Sequence, residues 1–297
     1  PGLYGEKVVL RVLDKDNAIL DIEQLGLAQD HLDKFKLLLK RNYGLILVTG
    51  PTGSGKTTSL YAALNHLNSI EKNIVTIEDP VEYRLPRINQ VQVNTKIGLE
   101  FSTVLRAALR QDPDIVLIGE MRDHETAEIG LRAAMTGHMV LSTLHTNDAV
   151  SAPARLMDMG VDSYLVASSL RAVMAQRLIK KLCHHCTQPY QPDAQEKAWL
   201  ESMEPESASA PYLHGRGCHH CHNTGYQGRV GIYELLEVNS DMVAALRRGD
   251  QQAFSEAAMR SEYFRPLALS ALDLARQGVT SLDEVFRVSA TLDGEDI

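Results

Sequence analysis

Lys56 and Thr57 close a glycine-rich octet, Gly50-Pro-Thr-Gly-Ser-Gly-Lys-Thr57, and Thr58 follows directly. The pattern G-x-x-x-x-G-K-[ST] is met at every position. Gly50, Gly53 and Gly55 let the backbone wrap so that its N–H groups face inward, while Pro51, Thr52 and Ser54 complete the loop. Such a loop cradles phosphates, and the helix that follows adds the positive end of its dipole. Lys56 then reaches the β- and γ-phosphates and the Thr57 hydroxyl holds Mg²⁺, so the chain is expected to bind ATP. An ordinary strand–turn–helix is the bland alternative; strand, loop and helix signals in one register disfavour it.

Further acids, arginines and histidines recur at the expected edge of the same sheet. The apolar run Ile115–Ile118 is followed by Gly119 and Glu120. The common pattern has an aspartate directly after four apolar residues, so Gly119 is a departure. Glu120 suits a water-polarising role, and Mg²⁺ ligation by this strand is left open. Glu78, Asp79 and Glu82 form a second acidic group that could hold Mg²⁺ through water, or be a solvated turn. Arg106 and Arg110 share a helix face and Arg122 follows Glu120. These are candidates to meet transition-state charge, often across a subunit boundary, against the alternative of surface arginines. His138 and His145 bracket the next strand, and the expectation is that both sense the γ-phosphate.

Cys183-x-x-Cys186 and Cys218-x-x-Cys221, with 31 residues between the pairs, hold all four cysteines. Two knuckles of this spacing offer four thiolates to a closed tetrahedron, which points to structural Zn²⁺. A redox pair fits two motifs less well. His184, His185, His219, His220 and His222 leave open the replacement of a thiolate by an imidazole.

The elements that must position these groups follow from periodicity. Leu45–Thr49, Asn73–Ile77, Ile88–Val93, Ile115–Ile118 and His138–Leu144 read as strands. Segments 30–41, 56–68, 102–111, 123–136, 149–159 and 163–179 read as helices. Alternation of this kind after a phosphate loop implies an α/β fold with a parallel sheet, the RecA-like core, and nucleotide at the strand C-termini. Residues 6–13 read as the last strand of a preceding domain, and the chain, opening on Pro1, looks like a piece of a longer one. The expected division is 1–24 for that domain's end and a linker, 25–181 for the ATPase core, 182–237 for the zinc subdomain and 238–297 for a helical C-terminal region. In that last region Ser281 and Glu284 are spaced as a capping box.

The 297 residues are 44% hydrophobic and 23% charged, with a formal net charge of −8. Lys/Arg and Asp/Glu balance over 1–182, and the acidic excess lies wholly in 183–297. A nucleic-acid groove needs a basic surface, so nucleic acid is not an expected partner. No apolar run is long enough to span a bilayer.

The phosphate loop together with Glu78-Asp-Pro-Val-Glu82, Asp112-Pro-Asp-Ile-Val-Leu-Ile-Gly-Glu120 and Thr136-Gly-His-Met-Val-Leu-Ser-Thr-Leu-His-Thr-Asn147 resembles the ATPases of type II secretion and type IV pilus assembly, the GspE/PilB type. The paired cysteine motifs resemble the metal-binding insertion of its assembly and secretion branch, and the wording at 131–134 and 164–169 is similar to the MSHA-pilus type. This resemblance implies a homo-hexameric, Mg²⁺- and ATP-dependent cytoplasmic motor docked to inner-membrane platform proteins. It implies that Glu120 is the catalytic glutamate and that Arg11, Arg106, Arg110 and Arg122 are interface or phosphate-contacting arginines. The Gly-Glu ending of the second motif is then a family trait. Two other readings share the core: a RecA-like nucleic-acid motor, and a nucleotide-dependent adaptor docking through its zinc subdomain.

Overall fold

The computed structural model describes residues 5, 6, 8 and 21–292. The expected strand over 6–13, with Arg11, and the tail 293–297 fall largely outside the described residues. The first element among the described residues is a short 3-10 helix, Ile22–Leu25, whose Asp21 side chain accepts from Glu23 N–H and whose Ile22 and Leu25 are buried. The stretch expected to be linker therefore ends as a packed element of the core.

The chain then runs α1 (Gln29–Leu39), β1 (Gly44–Thr49), α2 (Lys56–Leu67), β2 (Ile74–Glu78), β3 (Asn89–Gln92), α3 (Phe101–Leu109), β4 (Ile115–Ile118), α4 (His124–Met135), β5 (Met139–Leu144), α5 (Ala152–Asp158), α6 (Ser163–Ser169) and β6 (Leu170–Leu182). An insertion follows: β7 (Thr187–Tyr190), α7 (Ala194–Met203) and β8 (Tyr212–Gly215). The chain returns in β9 (Tyr226–Glu237) and ends in α8 (Ser240–Arg248), α9 (Gln251–Met259), α10 (Leu267–Arg276) and α11 (Leu282–Leu292).

Seven strands form one sheet in the order β3-β2-β4-β5-β1-β6-β9. Its first six strands are mutually parallel, and β9 pairs antiparallel with β6 at the edge. β1, β2, β4 and β5 are buried along their whole length, as parallel strands covered on both faces must be. Side chains alternate between two cores: Ile46 and Val48 pack with α1 and α2, while Leu45 and Leu47 join the side carrying α3 to α6 and the C-terminal helices.

Two expectations change. The helix expected over 163–179 stops at Ser169, and Leu170–Leu182 is strand β6. Its apolar run Ala172–Ala175 carries no decisive period, because Ala172 and Met174 enter one core and Val173 and Ala175 the other. The slot between β1 and β9 decides it. Residues 226–237, expected to belong to the zinc subdomain, form β9 and extend the main sheet. The insertion between them is anchored to the C-terminal region by Trp199 against Phe286, ring centroids 4.8 Å apart, and by Glu204, which bridges Arg265 at 3.0 Å and Arg276 at 2.7 Å. Ser281 and Glu284 turn toward the sheet: the Ser281 hydroxyl meets that of Tyr226 at 2.7 Å, and Glu284 accepts Lys180 N–H at 2.8 Å.

Candidate nucleotide site and metal centre

The C-terminal ends of β1, β2, β4 and β5 open into a cleft of about 1200 Å³ lined by Thr52–Tyr61, Glu78–Pro80, Glu82, Glu120 and His145. β1 delivers the phosphate loop and α2 starts at Lys56. Its N-cap, Gly55, sits at φ +90° and offers no side-chain cap, so the first-turn N–H groups face the cleft as an anion site. The loop leaves little room for side chains on Gly50 and Gly55. A Cβ at Gly50, where φ is +146°, would lie 2.4 Å from the Gln176 carbonyl oxygen, and one at Gly55 3.1 Å from Gln176 Nε2. Gln176 Nε2 donates to Ser54 O at 2.7 Å, so β6 backs the loop. Lys56 Nζ donates to Gly50 O at 2.7 Å and Pro51 O at 3.0 Å. Burial lowers the Lys56 pKa and the charge of Glu120 opposes that.

Glu120 stands two residues past the end of β4, after Gly119. Its carboxylate pairs with Arg122 and lies 3.7 Å from His145 Nε2, while Arg122 also reaches Asp79 at 3.7 Å. Arg122 thus ties the two acidic groups together, and its pKa is raised chiefly by the hydrogen bond to Glu120. Gly119 has a steric reason. It donates to Ile77 O at 2.8 Å, and a Cβ there would sit 3.1 Å from that oxygen and 3.4 Å from Glu78 Cα. The aspartate of the common pattern would press on the backbone of β2, which would have to give by a few tenths of an ångström. The Thr143 hydroxyl donates to Gly119 O at 2.7 Å and that of Ser142 to Ile118 O at 2.7 Å, which fixes the β4 end against β5. Burial, with Lys56 and Arg122, lowers the His145 pKa against the opposing pull of Glu120, favouring neutral imidazole near pH 7.

The other expected residues divide. Glu78 is 3% exposed and accepts from Tyr61 OH, Thr76 OH and, at 3.2 Å, Gln90 Nε2. Its carboxylate is engaged by these donors, so Glu78 borders the cleft as a buried structural acid, whereas Asp79 is exposed and Glu82 half-buried along the same lining. His138 lies at the opposite end of β5, with Nδ1 3.1 Å from Ala133 O, and lines a different, polar cavity with Asn73 and Asp114. A six-residue strand separates the histidines by roughly 20 Å, so only His145 enters the site. Arg106 pairs with Glu125 on α4 at 2.7 Å, and Arg110 is the exposed C-cap of α3; neither lines this chain's cleft.

Gln176 and the link between Thr49 and Thr146, whose backbone oxygen accepts the Thr49 hydroxyl at 2.8 Å, were not singled out from sequence. A lone glutamine after the apolar run 172–175 was the available signal.

The four cysteine sulfurs converge within 4.8 Å of one another. Cys183 to Cys218 is 3.9 Å, Cys186 to Cys221 3.8 Å and Cys218 to Cys221 3.7 Å. A tetrahedron with Zn–S of about 2.3 Å has edges of about 3.8 Å, so the set fits Zn²⁺. Burial opposes ionisation of Cys221, yet N–H donors from Cys218 and Gly225 lower its thiol pKa to about 6. His184, His185, His220 and His219 pack ring against ring in that order at 3.9–4.0 Å between centroids, and the convergent ligand set among the described residues is all sulfur.

A phosphate loop leading from a central parallel strand, with an acid after β4, one strand removed across β5, defines a phosphate-loop nucleotide-binding core. The family model described as type II/IV secretion system protein matches residues 1–287, and the chain belongs to that family. It is 48% identical over 289 residues to the type II secretion system protein E of Dickeya dadantii, covering 97% of this chain and 57% of that protein. It is 47% identical over 293 residues to the type II secretion system ATPase E of Vibrio cholerae, covering 97% and 57%. The type IV pilus assembly ATPase PilB of Myxococcus xanthus is 46% identical over 291 residues, 96% and 50%. The chain thus spans little more than half the length of these relatives. The pilus retraction motor PilT with bound ADP superposes with a TM-score of 0.69 at 32% identity, covering 94% of this chain and 68% of that one. The Legionella pneumophila ATPase DotB shares the fold at a TM-score of 0.67 and 20% identity, covering 91% and 65%.

Proposed function

We propose that this chain is the ATP-hydrolysing part of a homo-hexameric motor for type II secretion or type IV pilus assembly, working on inner-membrane platform proteins from the cytoplasmic side. The observation that carries the reading is Glu120, paired with Arg122 and 3.7 Å from His145 Nε2, at the mouth of the phosphate loop. The loop N–H groups and Lys56 bind the phosphates. The buried Ser54 Oγ and Gln176 Oε1, without a hydrogen-bond partner among the described residues, supply further polar capacity beside them. Thr57, with Asp79 and Glu82 through water, would hold Mg²⁺, which neutralises phosphate charge. Glu120 orients and deprotonates the attacking water, and neutral His145 stands beside its carboxylate. The cleft continues past Leu25, Gly26, Leu178 and Val230, an apolar slot suited to the base. Arg106 and Arg110 face away from this chain's cleft, which suits a contribution to a neighbouring subunit's site, and Arg11 belongs to the same proposal. Zn²⁺ on the four cysteines would order the insertion. Among the described residues no helix is long and apolar enough to cross a membrane.

The test is Glu120→Gln: ATP binding is retained and turnover falls about 10²–10⁴-fold. Unchanged hydrolysis removes Glu120 from the mechanism. Stimulation of the unaltered chain by single-stranded DNA would favour the nucleic-acid motor instead.

A further inference from the structure

Glu234 is a carboxylate in the middle of β9, 3% exposed and outside the nucleotide cleft. Its two oxygens serve two different parts of the molecule. Oε1 accepts Ala149 N–H at 2.7 Å, and Oε2 accepts Leu267 N–H at 3.1 Å. Ala149 lies in the turn that begins at His145 and leads to α5. The near end of that turn is fixed by His145 beside Glu120 and by Thr146 on Thr49, the residue before the phosphate loop. Arg177 Nη2 donates to Asn147 Oδ1 at 3.2 Å in its middle. Leu267 is the first residue of α10, whose N-cap, Pro266, offers no side-chain cap. A carboxylate at that position satisfies an orphan N–H and suits the helix dipole. Farther along, Asp273 and Arg276 of α10 join the Arg265–Glu204 network that anchors the cysteine-bearing insertion.

We propose that Glu234 is a positioning residue for hydrolysis: it clamps the 145–149 turn to the N-terminus of α10, keeping His145 beside Glu120 and linking the nucleotide site to the insertion. The proposal rests on the hydrolysis reading above.

The clamp requires the ionised form, since a protonated carboxyl would turn a hydroxyl toward one of the two N–H donors. Burial raises the Glu234 pKa to about 7, with Asp148 adding to the shift and Ala149 N–H, Leu267 N–H and Arg177 opposing it. The charged groups facing it are Asp148 on the turn, Arg177 on β6, itself influenced by Arg287 of α11, and Asp250 across an apolar cavity of about 490 Å³. Because the folded pKa lies above the ordinary 4.5, the contribution of Glu234 to stability is full below that value and is lost as pH rises through about 7. Turnover should rise over the same range as the clamp forms, and these opposite slopes are the signature of the clamp.

The experiment compares the full chain with Glu234→Gln by melting temperature, fluorescent-ATP-analogue binding, steady-state turnover from pH 6 to 8.5, and hydrogen exchange of the segments holding Ala149 and Leu267. The glutamine variant is expected to bind the analogue within about twofold and to lose about five- to tenfold in kcat at unchanged KM. It should also lose the pH limb near 7 and exchange faster at both segments. Unchanged kcat and pH profile overturn the proposal, as do binding and turnover that fall in parallel with the folded fraction. If the variant does not fold, the unaltered chain still decides: corrected for intrinsic rate, protection at Ala149 must increase through pH 7, and a flat profile overturns the clamp. An unaltered chain that binds the analogue without turnover fails the hydrolysis reading, and the exchange comparison alone then decides the clamp.

Discussion

Substituting Gly119 tests why the acid of this site stands one residue later than the common pattern has it. In Gly119→Ala the new Cβ would lie 3.1 Å from Ile77 O and 3.4 Å from Glu78 Cα. Both are backbone atoms of β2, and Ile77 O is already held at 2.8 Å by Gly119 N–H, so neither can swing aside as a side-chain tip could. Overpacking of this kind costs about 1–3 kcal/mol. The lower unfolded-state entropy of alanine offsets about 0.4–1 kcal/mol. The net is about 1–2 kcal/mol of destabilisation, a fall of roughly 2–3 °C in the melting temperature of a chain this size. The β4 terminus must shift by a few tenths of an ångström and carry Glu120 with it, so turnover should fall about three- to tenfold while nucleotide binding holds. Gly119→Asp should be worse, because its carboxylate would enter beside buried Glu78. Differential scanning calorimetry and a coupled phosphate-release assay on the same preparations measure both quantities. An alanine variant that melts at or above the parent temperature with unchanged turnover refutes the steric account.

Cys218→Ser should lower bound zinc from one equivalent and destabilise the insertion, measured by elemental analysis and calorimetry; full zinc with an unchanged melting profile contradicts the tetrathiolate site. Because the folded pKa of His145 lies below its ordinary 6.5, the unfolded chain binds more protons there. Its contribution to stability is present above pH 6.5 and is lost as pH falls through the folded value. Turnover should decline over the same descent, and His145→Ala should flatten that acidic limb; an unaltered limb in the variant rejects His145 as its source. Glu78→Ala, which orphans the buried donors of Tyr61 and Thr76, should cost about 3 kcal/mol in urea denaturation. Glu78→Gln should leave the Mg²⁺ dependence of nucleotide binding unchanged; a shifted Mg²⁺ requirement would return Glu78 to the metal site.

Local chemistry made much of the core legible. β1, the phosphate loop and α2 follow from an apolar run, glycines at set positions and a helix-forming continuation. The Asp123 cap of α4, whose side chain accepts Thr126 N–H at 2.8 Å, and its stop near Gly137 follow from residues adjacent in sequence. Leu170–Leu182 was not legible, because a strand buried on both faces has no period to display and its alanines, methionine and lysines favour helix equally well. The roles within the acidic group and the histidine pair were equally hidden. Asp79 and Glu78 are chemically alike and adjacent, yet Tyr61, Thr76 and Gln90 close around Glu78 alone. His138 and His145 look equivalent in the sequence until the length of β5 sends them to opposite edges of the sheet.

The sequence by itself determined which chemistry is possible here: a phosphate loop, an acid after an apolar strand and two thiolate pairs, each encoded by residue type at short spacing. Tertiary structure decided which of those residues meet. It brought Arg122 and His145 to Glu120, set Gln176 behind the loop and gathered two knuckles 31 residues apart into one set of four sulfurs. It also gave Glu234 its two backbone partners, 85 and 33 residues away. Spacing along a chain constrains neighbours within a few residues; strand order in the sheet, set by burial on both faces, is what constrains the rest.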